Sequence, residues 1–185
     1  IQSFYQEPHR YYHNLSHIAA CLKLLDFARK EDVLENERSY IFVEMAIWFH
    51  DLIYDPHASN NEEKSAELFA EIATSAQISK ELSDRVIHLI LLTKHHALSS
   101  TPEELLMLDC DLSILGTITR DYKEYACAIR QEYSVVDDTI YRQKRSQILQ
   151  SFLERSSIFQ TPLFHQKFEI QARKNIQTEL SKMGF

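Results

Sequence analysis

From Ser16 to Lys30, apolar side chains recur at Ile18, Cys21, Leu22 and Leu25, while Lys23, Asp26 and Lys30 fall on the other side. That three-and-four spacing predicts a helix with one buried stripe. The stretch Tyr40 to Tyr54 is apolar almost all round, with Ile41, Met45, Trp48 and Leu52 on one stripe and Phe42, Ala46 and Phe49 on the next. It predicts a central, buried helix with Trp48, Phe42 and Phe49 in the core. Asp55-Pro56 should end it, because the residue before proline disfavours helical backbone. Asn60 reads as an N-cap, with Glu62 and Glu63 favoured in the first turn by the helix dipole, for a helix to about Ala76. Further helices are expected at Ser79 to Lys94, Pro102 to Leu108, Thr119 to Tyr133, Asp138 to Arg155 and Pro162 to Met183. Thr101-Pro102 and Thr161-Pro162 both read as a cap followed by proline in the first turn. With 2 glycines and 4 prolines in the chain, a turn-rich β fold or a glycine-rich nucleotide loop is excluded, and the fold class is all-α.

The 185 residues suit one domain, 1-185, with a single core and no linker or repeat. A net charge of -7 leaves no basic field to hold a nucleic acid polymer or an anionic membrane, so an anionic substrate has to be neutralised locally. No apolar run approaches the roughly 20 residues of a membrane span, and no secretory signal is legible. Cys21, Cys110 and Cys127 are odd in number, widely spaced and set among apolar neighbours, which points to reduced thiols and a cytoplasmic location.

Against this background His17, His50, Asp51 and Asp111 interrupt apolar settings, and an ionisable group there costs energy unless a partner compensates it. Two imidazoles and two carboxylates form a borderline-hard donor set, suited to a divalent ion such as Mn, Fe, Ni, Co or Mg with positions left open. Structural zinc would more often bring paired thiolates. Adjacent helical residues point about 100° apart, so His50 and Asp51 can meet on one ion only near the end of their helix.

Several segments together carry a resemblance: PHRYYHNLSH (Pro8 to His17), AIWFHDLIYDP (Ala46 to Pro56), NNEEKSA (Asn60 to Ala66), TKHH (Thr93 to His96) and LDCDLSILG (Leu108 to Gly116). With IRQEY, YRQKR and ARKN further on, they resemble the HD superfamily of metal-dependent phosphohydrolases, in its stand-alone bacterial group. YHNxxH, HD and DLS are also similar to segments of cyclic-nucleotide phosphodiesterases. The resemblance implies a compact helical HD-type bundle with His17, His50, Asp51 and Asp111 as metal ligands, and His13 and Asp51 as catalytic residues. His13 would donate a proton to the leaving oxygen, and the reaction would be hydrolysis of a phosphomonoester or phosphodiester. Asp109, two residues from Asp111, is expected to point elsewhere and to support or cap.

Arg10, Lys94 and His96 are the expected substrate-binding residues, the first two as cations near the phosphoryl group with a solvated side chain as the alternative for each; His95 is left at the surface. One metal is favoured over two, because His57, Glu62, His88 and His96 match no binuclear spacing. His9, His88 and His165 default to packing or solvent. Tyr54 and Asp55 either line the cleft or finish the helix, and Lys144-Arg145 to Arg173 reads as a solvated, ion-paired face from which Arg145 has the alternative of reaching substrate. The expected partner is a small phosphorylated metabolite or nucleotide. Two alternatives remain open: a non-catalytic metal- and nucleotide-binding sensor, and an iron oxygenase on the same scaffold.

Overall fold

The computed structural model describes residues 1–97 and 99–184. The described residues form eight α-helices and two short 3-10 turns, Phe4–Gln6 and Ser113–Gly116, with no strand. The helices are α1 (Leu15–Lys30), α2 (Glu37–Phe49), α3 (Asn61–Ser75), α4 (Lys80–Leu92), α5 (Pro102–Leu112), α6 (Thr119–Glu132), α7 (Asp138–Leu153) and α8 (Pro162–Met183).

Side-chain caps set most of the starts. Asn14 accepts from the Ser16 amide at 2.8 Å and Asn36 from the Ser39 amide at 2.9 Å. Ser79, Asp137 and Thr161 cap α4, α7 and α8 in the same way, satisfying amides that the helix itself leaves unpaired. Asn60 takes the N-cap position of α3, but its side chain makes no capping bond. The neighbouring Asn61 staples the loop instead: its amide group exchanges bonds with the backbone of Asp55 at 3.0 and 2.9 Å.

With so few glycines, α1 and α3 close on ordinary residues in the left-handed region, Asp32 (φ 52°) and Gln77 (φ 53°). Each is followed by an apolar residue whose amide reaches back into the last turn, Val33 to the Ala28 carbonyl and Ile78 to the Ala73 carbonyl.

The largest departures from the expected boundaries are at two helix ends. Helix α2 ends at Phe49 rather than near Tyr54, and α5 runs on to Leu112 rather than stopping at Leu108, which puts Asp111 on a helix. The stripe Ile41, Met45, Trp48 is also less buried than its apolarity predicts: Ile41 is exposed, and Met45 and Trp48 are half-buried, while Phe42 and Phe49 are in the core.

The chain divides into two compact units, Ile1–Asp111 and Leu112–Phe185. In the first, α2 packs against α1, α3 and α4, and α3 packs against α4. Ile18, Leu25, Val43, Ala46, Ile47, Phe69, Val86 and Ile90 are fully buried there, each large apolar side chain contributing about 1.5–3 kcal/mol. In the second, α7 packs on α8, and the Ser113–Gly116 turn lies against α6 and α8. Gly116 permits that approach: a Cβ there would stand 2.7 Å from the Phe168 carbonyl oxygen and 2.9 Å from its Cα.

The second unit also buries Arg145, expected on a solvated face. Its guanidinium donates to Glu179 Oε1 at 2.9 Å and to the Tyr125 hydroxyl at 3.0 Å. Glu179 in turn accepts from Tyr122. Arg145 is therefore the charged centre of an internal network, and its donors are held by protein groups.

Candidate metal centre

All four expected ligands belong to the first unit, and the fold brings them together. His17 stands on the buried face of α1, in its first turn. His50 closes α2 as its C-cap, with Asp51 just beyond, so the adjacent pair reaches one point as helical geometry requires. Asp111 comes from the last turn of α5.

The donor atoms converge tightly. His17 Nε2 lies 3.2 Å from His50 Nε2, 3.5 Å from Asp51 Oδ2 and 3.2 Å from Asp111 Oδ1; His50 Nε2 lies 3.0 Å from Asp51 Oδ2 and 3.5 Å from Asp111 Oδ1. An ion held at about 2.0–2.2 Å sets its ligands about 2.8–3.1 Å apart at right angles and about 3.3–3.6 Å apart in a tetrahedron. The five separations fall in that range.

The tautomer agrees. His50 Nδ1 donates to the Ile47 carbonyl at 2.9 Å, which leaves the Nε2 lone pair facing the cluster. Two carboxylates and two neutral imidazoles carry a charge of -2, which a divalent cation would cancel. The group His17, His50, Asp51 and Asp111 can therefore hold a metal ion.

The electrostatics without an ion show how strongly the groups feel one another. Burial resists ionisation of Asp51, but the charges of His50 and His13 and a hydrogen bond from His50 outweigh it and hold the carboxyl well below its usual range. The same contest at Asp111 ends the same way, through the charge of His50 and bonds from His17, His50 and His96. At His50, burial disfavours the cation, yet Asp51 and Asp111 override it and push the imidazole well above its ordinary value.

His13 lies just before the N-cap of α1, outside the helix. Its ring stacks on Tyr54 at 4.3 Å and sits 6.0 Å from the ring of His17. It is only partly buried, at the edge of the cluster. Tyr54, left open by sequence, is thus a buried wall beneath His13.

Arg10 is corrected. Its side chain is fully buried, donating to Glu7 at 2.9 Å, to the carbonyls of His13 (3.0 Å) and Asp51 (2.6 Å) through Nη1, and to Leu52 (2.9 Å) through Nη2. Four of its five donors are therefore committed, and it is a strut that ties the His13 segment to the end of α2 rather than a cation facing a phosphoryl group. Those carbonyls lie just past the end of α2, where a cation is electrostatically favoured.

Lys94, expected beside Arg10, forms an ion pair with Glu63 of α3. His95 is exposed, and His96 Nε2 bonds to Asp111 Oδ2 at 2.8 Å. Asp109 is fully buried. His88 pairs with Glu104 at the surface, at 2.8 Å.

Sequence reasoning passed over two neighbours of the centre. Cys21, one turn after His17, sets its sulfur 3.8 Å from His17 Nδ1; burial above all, then the charge of Asp111, pushes its thiol well up, so it stays protonated. The four-residue spacing from His17 was the available signal. Tyr12 lays its ring 4.8 Å from that of His17. The three cysteines are free, Cys21 and Cys110 buried and Cys127 exposed, the last contrary to its apolar neighbourhood. Among the described residues no helix is long and apolar enough to cross a membrane.

Compared with family models, curated proteins and solved structures, the chain gives no match.

Proposed function

We propose that the protein is a metal-dependent phosphohydrolase of the HD type, hydrolysing a phosphomonoester or phosphodiester of a small nucleotide-like substrate. The observation that carries this reading is the convergence of His17, His50, Asp51 and Asp111 at ligand-to-ligand separations of 3.0–3.5 Å. The ion, one of Mn, Fe, Ni, Co or Mg, would supply Lewis acidity to water and to a phosphoryl oxygen.

The chain's own residues do the rest. His17, His50, Asp51 and Asp111 would hold that ion, and a set of four protein donors would leave room beside it for substrate and water. Asp51 presents a half-buried carboxylate, held ionised by its neighbours, that can orient a water proton. His13, stacked on Tyr54, can carry a proton to the departing oxygen, a role imidazole fills near neutral pH. Because Arg10 and Lys94 are engaged by protein groups, neutralisation of the phosphoryl charge falls chiefly to the ion.

The test is a panel of nucleotides and phosphate esters incubated with protein loaded with manganese, cobalt, nickel or magnesium. Release of phosphate or a nucleoside monophosphate supports the reading; inactivity across the panel with metal bound refutes it. The engagement of Arg10 and Lys94 favours one second reading, a sensor that binds a phosphorylated metabolite through the same ion without turnover. Ligand affinity without product would identify it.

A further inference from the structure

Three non-glycine residues among those described occupy the left-handed region: Asp32, Gln77 and His96. The first two close helices. His96 (φ 46°) does not; it lies three residues beyond Thr93, the residue that closes α4. A backbone held there costs a non-glycine residue of order 1–2 kcal/mol, and glycine or asparagine would occupy it more easily.

What the histidine gains is reach. From that backbone its Nε2 bonds to Asp111 Oδ2 at 2.8 Å, while the other oxygen of the same carboxylate, Oδ1, is the one that meets His17 (3.2 Å) and His50 (3.5 Å). Since an ionised carboxylate only accepts, Nε2 carries the proton in this bond.

We infer that His96 is a positioning residue: it occupies one oxygen of Asp111 so that the other alone faces the His17–His50 pair, and so biases the centre towards small divalent ions over calcium. A carboxylate that offers one oxygen matches the short, regular shell of manganese, cobalt or magnesium. Calcium takes six to eight oxygens and readily accepts both from one carboxylate. The inference rests on the metal reading above and replaces the expectation that His96 contacts substrate.

The test measures manganese and calcium affinity by titration calorimetry on wild type and on His96→Gly, His96→Asn and His96→Gln, with the melting curve of each in chelator. Glycine and asparagine suit the backbone but remove the reach to Asp111, so both variants stay folded. Their manganese affinity falls about 10–100-fold, the size of effect known for groups that orient a metal ligand, and their preference for manganese over calcium narrows. Glutamine, whose amide nitrogen extends about as far as Nε2, restores most of the affinity.

Manganese affinity in His96→Gly within about two-fold of wild type overturns the inference, as does a loss that glutamine does not repair and that tracks a lowered melting temperature in chelator. Wild-type protein that binds no manganese overturns the metal reading itself, a distinct result.

Discussion

Arg10→Met separates two roles that a sequence cannot distinguish, anion binder and internal strut. Methionine keeps the apolar stem and removes all five donors. Three carbonyls, of His13, Asp51 and Leu52, then lose their partner; Leu52 is in a buried bond and the other two in partly buried ones. Glu7 adds little to the cost, since its side chain is 40% exposed and regains water. A carbonyl left unsatisfied costs about 1–3 kcal/mol, and the partly buried pair belongs at the low end, so the net loss is about 3 kcal/mol. For a chain of this size that corresponds to a melting point lower by roughly 6–12 °C. Arg10→Lys should lose about half as much, because one ammonium cannot span acceptors that a planar fork reaches at once. The assay is thermal and urea unfolding in chelator, with manganese affinity in parallel, expected to fall because Asp51 loses its anchor. A melting point within about 2 °C of wild type, less than the shift of 1 kcal/mol, would refute the strut and return Arg10 to the substrate.

Two other outcomes follow from the same geometry. Gly116→Ala should destabilise the second unit by about 1–3 kcal/mol, because the added carbon meets the backbone of Phe168 rather than a flexible side-chain end; an unchanged urea midpoint would show that α8 can give way. In the metal-free protein, the lowered carboxyls of Asp51 and Asp111 stabilise above about pH 4 and lose that contribution on acidification, whereas the raised imidazole of His50 stabilises below about pH 6.5 and loses its contribution as pH rises through its folded value. A divalent ion competes with that proton, so the rise in melting temperature caused by manganese should grow between about pH 6 and pH 8, and a rise that stays flat would contradict the ligand role of His50.

Much of this was legible in the sequence. The helices with one apolar stripe and a capping residue, α1 and α8, sit close to where periodicity places them, and the adjacency of His50 and Asp51 foretold a site at a helix end. What local pattern could not show depends on partners far along the chain. Helix α2 ends early where Arg10, about forty residues upstream, takes the carbonyls beyond it. Helix α5 runs on because Leu106, Met107, Leu108, Asp109 and Cys110 are all buried, so it has no alternation from which to read an end. Arg145 carries the charge of a surface residue and is enclosed by Glu179, thirty-four residues away. At the centre, donor types and chain order were readable, but that one Asp111 oxygen faces His17 and His50 while the other bonds to His96 required coordinates.

The proposal stands on His17, His50, Asp51 and Asp111 holding one divalent ion together. Elemental analysis of purified protein, dialysed against manganese and then against buffer, tests it most directly. Wild type and His13→Ala should each keep about one ion per chain, and His50→Ala and Asp51→Ala, each of which removes one of four ligands, should lose most of it. Undiminished metal in Asp51→Ala would contradict it.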